Sequence, residues 1–306
     1  MKIFNLIFIF LLVVIVIYSG YYLSRSNENL IVTIPYGSTT KEIAKVLLEN
    51  KLISNESIFV NISKITGFSK KLQSGTYKIN RRAGTLKILL MLWKGKTFSL
   101  KVTVPEGYTA EQIAELLQEK KLCDKEKFMK LVDKNRLEGY LFPDTYFFSP
   151  GISEQEIIDR MTAEFGRQYL SEFNNKAKEL RLTKNDVVSL ASIVEKEAKI
   201  EEERKLIARV FLNRLKKGWH LESCATIRYA LKNSGKPLTY KDLKVKSPYN
   251  TYRNYGLPPG PICNPGLLSI KAVLYPADSD NMFFFTKNGG THQFSKYYDE
   301  HIKKQR

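Results

Sequence analysis

The chain is poor in the residues that build disulfide frameworks and metal centres. Its 306 residues include three cysteines, Cys123, Cys224 and Cys263. The number is odd and no Cys-x-x-Cys occurs, which excludes a disulfide framework and argues against a metal site. None lies near the N-terminus, so no lipid-carrying cysteine anchor is suggested. The three histidines, His220, His292 and His301, are too scattered for a metal cluster. A glycine-rich phosphate loop is also missing, so the sequence implies no cofactor. Acidic residues are scarce: 31 Asp and Glu stand against 49 Lys and Arg, a net charge of +18. That balance predicts anionic partners such as nucleic acid, lipid headgroups or an acidic polymer. Nucleic acid is the weakest of these. There is no zinc-finger spacing, no ribonucleoprotein aromatic signature and no arginine-clustered recognition helix, and the lysines are spread along the chain.

What is present is globular: 43% hydrophobic and 26% charged residues, with length for two or three domains. Ile3 to Ser24 carries no charge. As a helix it would span about 33 Å, against a hydrocarbon core of about 30 Å. Tyr18, Tyr21 and Tyr22 sit where an interfacial aromatic belt would be. A cleaved signal peptide competes, but no clean small-x-small site follows the apolar run. An uncleaved anchor over residues 1–24 is expected, with a short cytoplasmic start and the rest of the chain exported.

An internal repeat follows. Val32-Thr-Ile-Pro-Tyr-Gly-Ser-Thr matches Val102-Thr-Val-Pro-Glu-Gly-Tyr-Thr, and the match continues through Ile43/Ile113, Ala44/Ala114, Leu47/Leu117 and Leu52/Leu122. Each copy predicts a short strand, a Pro-x-Gly turn and a helix capped by Thr39 or Thr109. A helix over Glu56–Thr66, a strand over Gly75–Ile79 and a helix over Thr85–Trp93 complete a strand–helix–helix–strand module. It resembles a LysM-type carbohydrate-binding domain, spanning 25–98. The second copy opens a larger α+β domain, 99–306, so the expected fold class is α+β throughout.

Three stretches of the larger domain stand out. Glu138-Gly-Tyr-Leu-Phe-Pro-Asp-Thr-Tyr is dense in aromatics that either line a sugar cleft or fill a core. An amphipathic helix is expected over Glu154–Phe173. From Val187 to Ala198 a helix is almost wholly apolar or small, with Val187, Leu190, Ala191, Val194 and Ala198 on one face. It nevertheless carries Glu195 and Glu197 on the flanks of that stripe. A carboxylate beside a buried stripe must be paired, hydrogen-bonded or protonated, and the last condition suits a general acid. The plainer reading is that both glutamates simply reach solvent, and the pattern does not choose between them. A helix over Glu202–Lys217 follows, and Tyr249 to Gly266 is a long Pro/Gly/Asn loop that cannot be helix or central strand. Ser269–Tyr275 reads as helix, Met282–Thr286 and Thr291–Ser295 as a hairpin about Asn288-Gly-Gly, and the basic tail as frayed.

Taken together, the anchor, the module, Glu138-Gly-Tyr-Leu-Phe-Pro-Asp-Thr-Tyr, Ala191-Ser-Ile-Val-Glu-Lys-Glu, Val210-Phe-Leu-Asn-Arg-Leu, Tyr249-Asn-Thr-Tyr and Gly256-Leu-Pro-Pro-Gly-Pro-Ile resemble the YceG-like (MltG) family of endolytic murein transglycosylases. The resemblance covers nearly the whole chain. It implies that the second glutamate of the pair, Glu197, is the catalytic acid. It implies cleavage of the MurNAc–GlcNAc bond without water, giving 1,6-anhydroMurNAc ends. One departure stands out: the family's Leu-Gln-x-Asp-Pro-Thr is here Leu221-Glu-Ser-Cys-Ala-Thr, with Glu222 for Gln and Cys224-Ala225 for Asp-Pro.

On that reading Glu195, Asn250, Tyr252, Asn264, Glu222 and Tyr146 are candidate substrate contacts. Asn213 and Arg214 would tie the loop or Glu195 in place. The implied partners are peptidoglycan strands, an anionic membrane surface and cell-wall synthases. Two rivals remain: a muramidase-type hydrolase, with Glu195 or Glu222 as second carboxylate, and a non-catalytic glycan-binding scaffold.

Overall fold

The computed structural model describes residues 26–232, 237–286 and 290–305. They form two compact units, one of residues up to Leu100 together with Phe147–Gly151, the other of Lys101–Tyr146 and Ile152–Arg306. Among the described residues no helix is long and apolar enough to cross a membrane. The anchor expected over Ile3–Ser24 lies outside them.

The first unit contains β1 (Asn29–Ile34), α1 (Thr40–Glu49), α2 (Glu56–Ile65), β2 (Gly75–Asn80) and α3 (Thr85–Trp93). β1 and β2 are antiparallel, with Ile34 opposite Gly75 and Asn29 opposite Asn80. Thr39 and Glu42 cap α1 reciprocally, satisfying N–H groups that no helical turn can reach. Val32, Ile34, Ile43, Leu47, Phe59, Tyr77, Ile88 and Leu92 meet as its core.

The second unit begins with β3 (Leu100–Thr103) and α4 (Ala110–Glu119). The repeat survives folding down to its caps. Thr109 and Gln112 form the same reciprocal cap as Thr39 and Glu42. At the other end Lys51 and Lys121 both turn left-handed, at φ 55° and 57°. Then come α5 (Lys125–Asn135), β4 (Thr145–Phe148), which pairs with β3, α6 (Glu154–Gln168), α7 (Ser171–Glu179) and α8 (Lys184–Glu197). After a short 3-10 turn at Glu201–Glu203 come α9 (Arg204–Lys216), α10 (Cys224–Ala230), α11 (Leu267–Leu274), the antiparallel pair β5 (Phe283–Thr286) and β6 (His292–Ser295), and α12 (Tyr298–Gln305).

The helix expected over Glu154–Phe173 is two helices. The chain leaves helical geometry at Tyr169 (ψ 84°) and Leu170 (ψ 153°). The break lets Tyr169 stack on Phe165 and meet Phe173 edge-on, all three buried. The tail is helical rather than frayed. Asp299 and Glu300 in its first turn and Lys303 and Lys304 in its last complement the helix dipole, and His301 packs on Phe283 and Phe285. The Asn288-Gly-Gly turn lies outside the described residues.

α8 is the centre of this unit. The pattern marks one apolar face, but every residue from Val187 to Val194 is fully buried. Phe165, Phe173, Ile207, Phe211, Leu221, Ile270 and Val273 close around it. A stretch buried on all sides exposes no side chain, so its two serines, Ser189 and Ser192, lie inside. Ser192 Oγ donates to the Ser189 carbonyl (2.7 Å) and accepts the N–H of Ile262 (2.9 Å). That second bond lays the Pro/Gly loop along α8.

The loop also fixes the aromatic block. Gly139 stands at φ +89°, where a Cβ would lie 2.4 Å from Pro261 Cγ and 3.0 Å from Val188 Cγ1. Gly139→Ala therefore combines a left-handed penalty with overpacking and should lower stability by about 2–4 kcal/mol, measured by urea denaturation.

Candidate active site

The two glutamates lie where α8 leaves the core. Lys196 between them is exposed, and the helix ends at Glu197 with Ala198 already extended (ψ 118°). Carboxylates at a helix C-terminus oppose its dipole, so each needs a partner.

Glu195 has two. Arg204 Nη2 lies 3.4 Å from Oε1, and the N–H of Gly266, which caps α11, donates to Oε2 at 3.1 Å. The Glu195 side chain is only 7% exposed. Arg204 also reaches Glu106 at 3.8 Å. Burial first and the Glu195 charge second push the Glu106 carboxyl above its ordinary value, against the pull of Arg204. Glu195 is thus held in a buried ionic cluster under the start of α11. Its partner is Arg204 rather than Asn213 or Arg214. Asn213 instead bonds the carbonyls of Ser279 and Asn281, and Arg214 those of Met282 and Leu221.

Among the described residues Glu197 has a single side-chain partner. Ser223 Oγ donates to Oε1 at 2.5 Å, and Oε2 has no hydrogen-bond partner among the described residues. Ser223 is the N-cap of α10 and 2% exposed. Its oxygen accepts the N–H of Ala225 (3.2 Å), so its only proton is committed to Glu197. Thr251 accepts the Ser223 N–H (3.1 Å) and exchanges a hydrogen bond with Thr226 (2.9 Å). These contacts fix Ser223 before any ligand arrives.

Two further candidates gather here. Tyr252 OH lies 3.1 Å from Cys224 Sγ. Burial, the Cys224 contact and the nearby charges of Glu197 and Glu222 push its hydroxyl well above the tyrosine range. Glu222 is half exposed, left-handed at φ 55°, with Arg214 Nη1 3.2 Å from its carboxylate.

Three candidates are occupied elsewhere. Asn250 is fully buried, donating to the Leu243 and Val245 carbonyls and accepting the Tyr252 N–H. Asn264 is fully buried between the Leu141 N–H, the Tyr108 carbonyl and Glu138. Tyr146 donates inward to the Phe142 carbonyl at 2.6 Å. The aromatic block is therefore mostly core: Leu141, Phe142, Tyr146 and Phe148 are buried. These side chains satisfy backbone groups that the irregular loop would otherwise leave unpaired.

Sequence reasoning missed Ser223, Thr251, Arg204 and Glu138. Only Ser223 carried a local signal, as a capping residue before a helix. Glu138 accepts the Ala110 N–H at the start of α4 (3.0 Å), Asn264 Nδ2 (3.1 Å) and Tyr229 OH (3.5 Å). Burial outweighs these bonds and pushes its carboxyl up to about 7.

The fold and site together define an α+β protein presenting one lightly tethered carboxylate beside a tyrosine and an anchored loop. The YceG-like family profile matches residues 32–306, and the chain belongs to that family. An endolytic murein transglycosylase of Bacillus subtilis is 34% identical, over 92% of this chain and 84% of its own. One of Streptococcus pneumoniae is 32% identical over 85% of this chain, which spans 55% of that relative. A crystal structure of a YceG-like protein from Listeria monocytogenes superposes with a TM-score of 0.59 at 35% identity, covering 91% of this chain and 99% of that one.

Two stability results are expected. Glu195→Ala strands Arg204 in a mostly buried site and should lower stability by about 3 kcal/mol, read by chemical denaturation, with Glu197→Ala costing much less. Glu138 keeps its proton in the folded state above 4.5, where the unfolded carboxyl loses it. Stability should therefore fall as pH rises from 4.5 to about 7, by about 3 kcal/mol, then level off. Glu138→Gln should remove that slope in denaturation curves across the range.

Proposed function

We propose that this chain is an endolytic lytic transglycosylase that cleaves MurNAc–GlcNAc bonds in peptidoglycan, with Glu197 as its one catalytic carboxyl group. The observation that supports this is the contrast between the glutamates. Glu195 is spent on Arg204 and the α11 terminus, while Glu197 has one oxygen on Ser223 and one open to a ligand.

The reaction needs no second carboxylate. The open oxygen of Glu197 donates its proton to the glycosidic oxygen as the bond to the MurNAc anomeric carbon breaks. The 6-hydroxyl of the same MurNAc attacks that carbon, and Glu197 takes the hydroxyl proton. The ring closes as a 1,6-anhydro end and the acid is regenerated. Glycosidases that use water instead need a paired base or nucleophile. Ser223, donating to Oε1, keeps Oε2 as the proton-carrying oxygen. Tyr252 and Glu222 flank it as substrate contacts.

The remaining assignments follow from the same reading. Ile3–Ser24 anchors the chain in the cell membrane, with the described residues outside the cell. The first unit is a LysM-like module that engages the glycan, and cuts in nascent strands limit their elongation near the synthases. The half-exposed carboxylate of Glu222 supports a second reading, a muramidase-type hydrolase.

Mass spectrometry of murein digested by the purified protein separates the two: anhydro ends are expected, and reducing ends heavier by one water would select the hydrolase. Glu197→Gln should lower the cleavage rate by about 10²–10⁴-fold and Ser223→Ala by about tenfold. Full cleavage by Glu197→Gln would place the catalytic group elsewhere, and no cleavage by the unaltered chain would favour a glycan-binding scaffold.

A further inference from the structure

Beyond the contacts assigned to Tyr252 and Glu222, the surface around His220 and Tyr255 is not used by this chemistry. The segment from His220 to Cys224 lies against the segment from Thr251 to Tyr255. Glu222 N–H donates to the Thr251 carbonyl (3.1 Å), Cys224 meets Tyr252 (3.1 Å), and at the far end His220 stacks on Tyr255. The rings are 3.9 Å apart at 22°. Tyr255 is 71% exposed. His220 covers one face of the Tyr255 ring and fixes its plane, which leaves the other face presented to a ligand.

The support beneath it is rigid. Arg214 is buried and donates to the Leu221 carbonyl (2.8 Å), to Glu222 (3.2 Å) and to the Met282 carbonyl (2.9 Å). This holds His220 and, through it, the plane of Tyr255. His220 Nε2 is buried with no hydrogen-bond partner among the described residues. It is sealed from solvent, so a ligand at this surface meets the stacked rings and not this nitrogen.

We infer that the His220–Tyr255 stack is a saccharide subsite, a platform for one hexosamine ring of the murein strand whose scissile bond lies at Glu197. It rests on the murein-cleaving reading. Continuity with the site selects this occupant. The run from His220 to Cys224 spans at most about 14 Å, the reach of a short oligosaccharide. Stacked sugar C–H groups cover the open Tyr255 face, and the Glu222 carboxylate between the two ends accepts from a sugar hydroxyl or acetamido N–H.

The test uses the full chain carrying Glu197→Gln, titrated with peptide-free murein glycan strands by calorimetry. Adding Tyr255→Ala should weaken binding about tenfold, and His220→Ala should weaken it as well. Tyr255→Phe, which keeps the ring, should bind within about twofold of the parent. Thermal unfolding at the parent temperature verifies that each variant is folded. Parent-like affinity in folded Tyr255→Ala would overturn the subsite. Should Glu197→Gln still cleave murein, the catalytic reading falls. The Tyr255 comparison, repeated on strands too short to be cut, still decides the platform.

Discussion

The complete burial of the middle of α8, Val187–Val194, governs the second unit. From Val187 to Val194 no side chain reaches water, so α6, α7, α9, α11 and the Pro/Gly loop must all close around one rod. Where that rod emerges at its C-terminal end it carries Glu195, Lys196 and Glu197, and only the lysine points into solvent. Neither glutamate can be left to solvent alone at a helix C-terminus, and the surrounding elements supply their partners. The site is therefore a consequence of where the core ends.

The partners differ in kind, and that difference supports the proposed roles. Glu195 receives a guanidinium on one oxygen and the N–H at a helix N-terminus on the other, so both oxygens are occupied. Glu197 receives one hydroxyl on one oxygen, which orients the carboxyl group and leaves the other oxygen without a hydrogen-bond partner among the described residues. The second copy of the repeat is drawn into the same arrangement. Where the first copy has Tyr36, 97% exposed, the second has Glu106 beside Arg204, and the Gly107 N–H donates to the Asn264 carbonyl (2.9 Å). One duplicated element thus serves a free turn in one unit and braces the glutamate helix in the other.

Local chemistry was legible in the sequence. Thr39 and Thr109 cap the helices expected of them, because a cap is decided within four residues. The division of the glutamates was not legible from pattern alone, because Arg204, Ser223 and Gly266 reach them only through the fold. Ser223 is 26 residues from Glu197 and Gly266 is 71 from Glu195. Asn250 and Asn264 looked like ligand contacts for a related reason. A loop that cannot be helix or strand needs side-chain amides for its own backbone, and composition does not distinguish that use from substrate binding. The break at Tyr169 was hidden likewise, since it serves three rings whose packing only the fold creates.

The central claim is that residue 197, and not residue 195, meets the scissile bond. A crystal structure of the Glu197→Gln chain with a murein tetrasaccharide tests it most directly. The glycosidic oxygen is expected within about 3 Å of the residue 197 side chain, with Glu195 still on Arg204 and Gly266. A glycosidic oxygen seated against Glu195, with Arg204 displaced, would contradict the account.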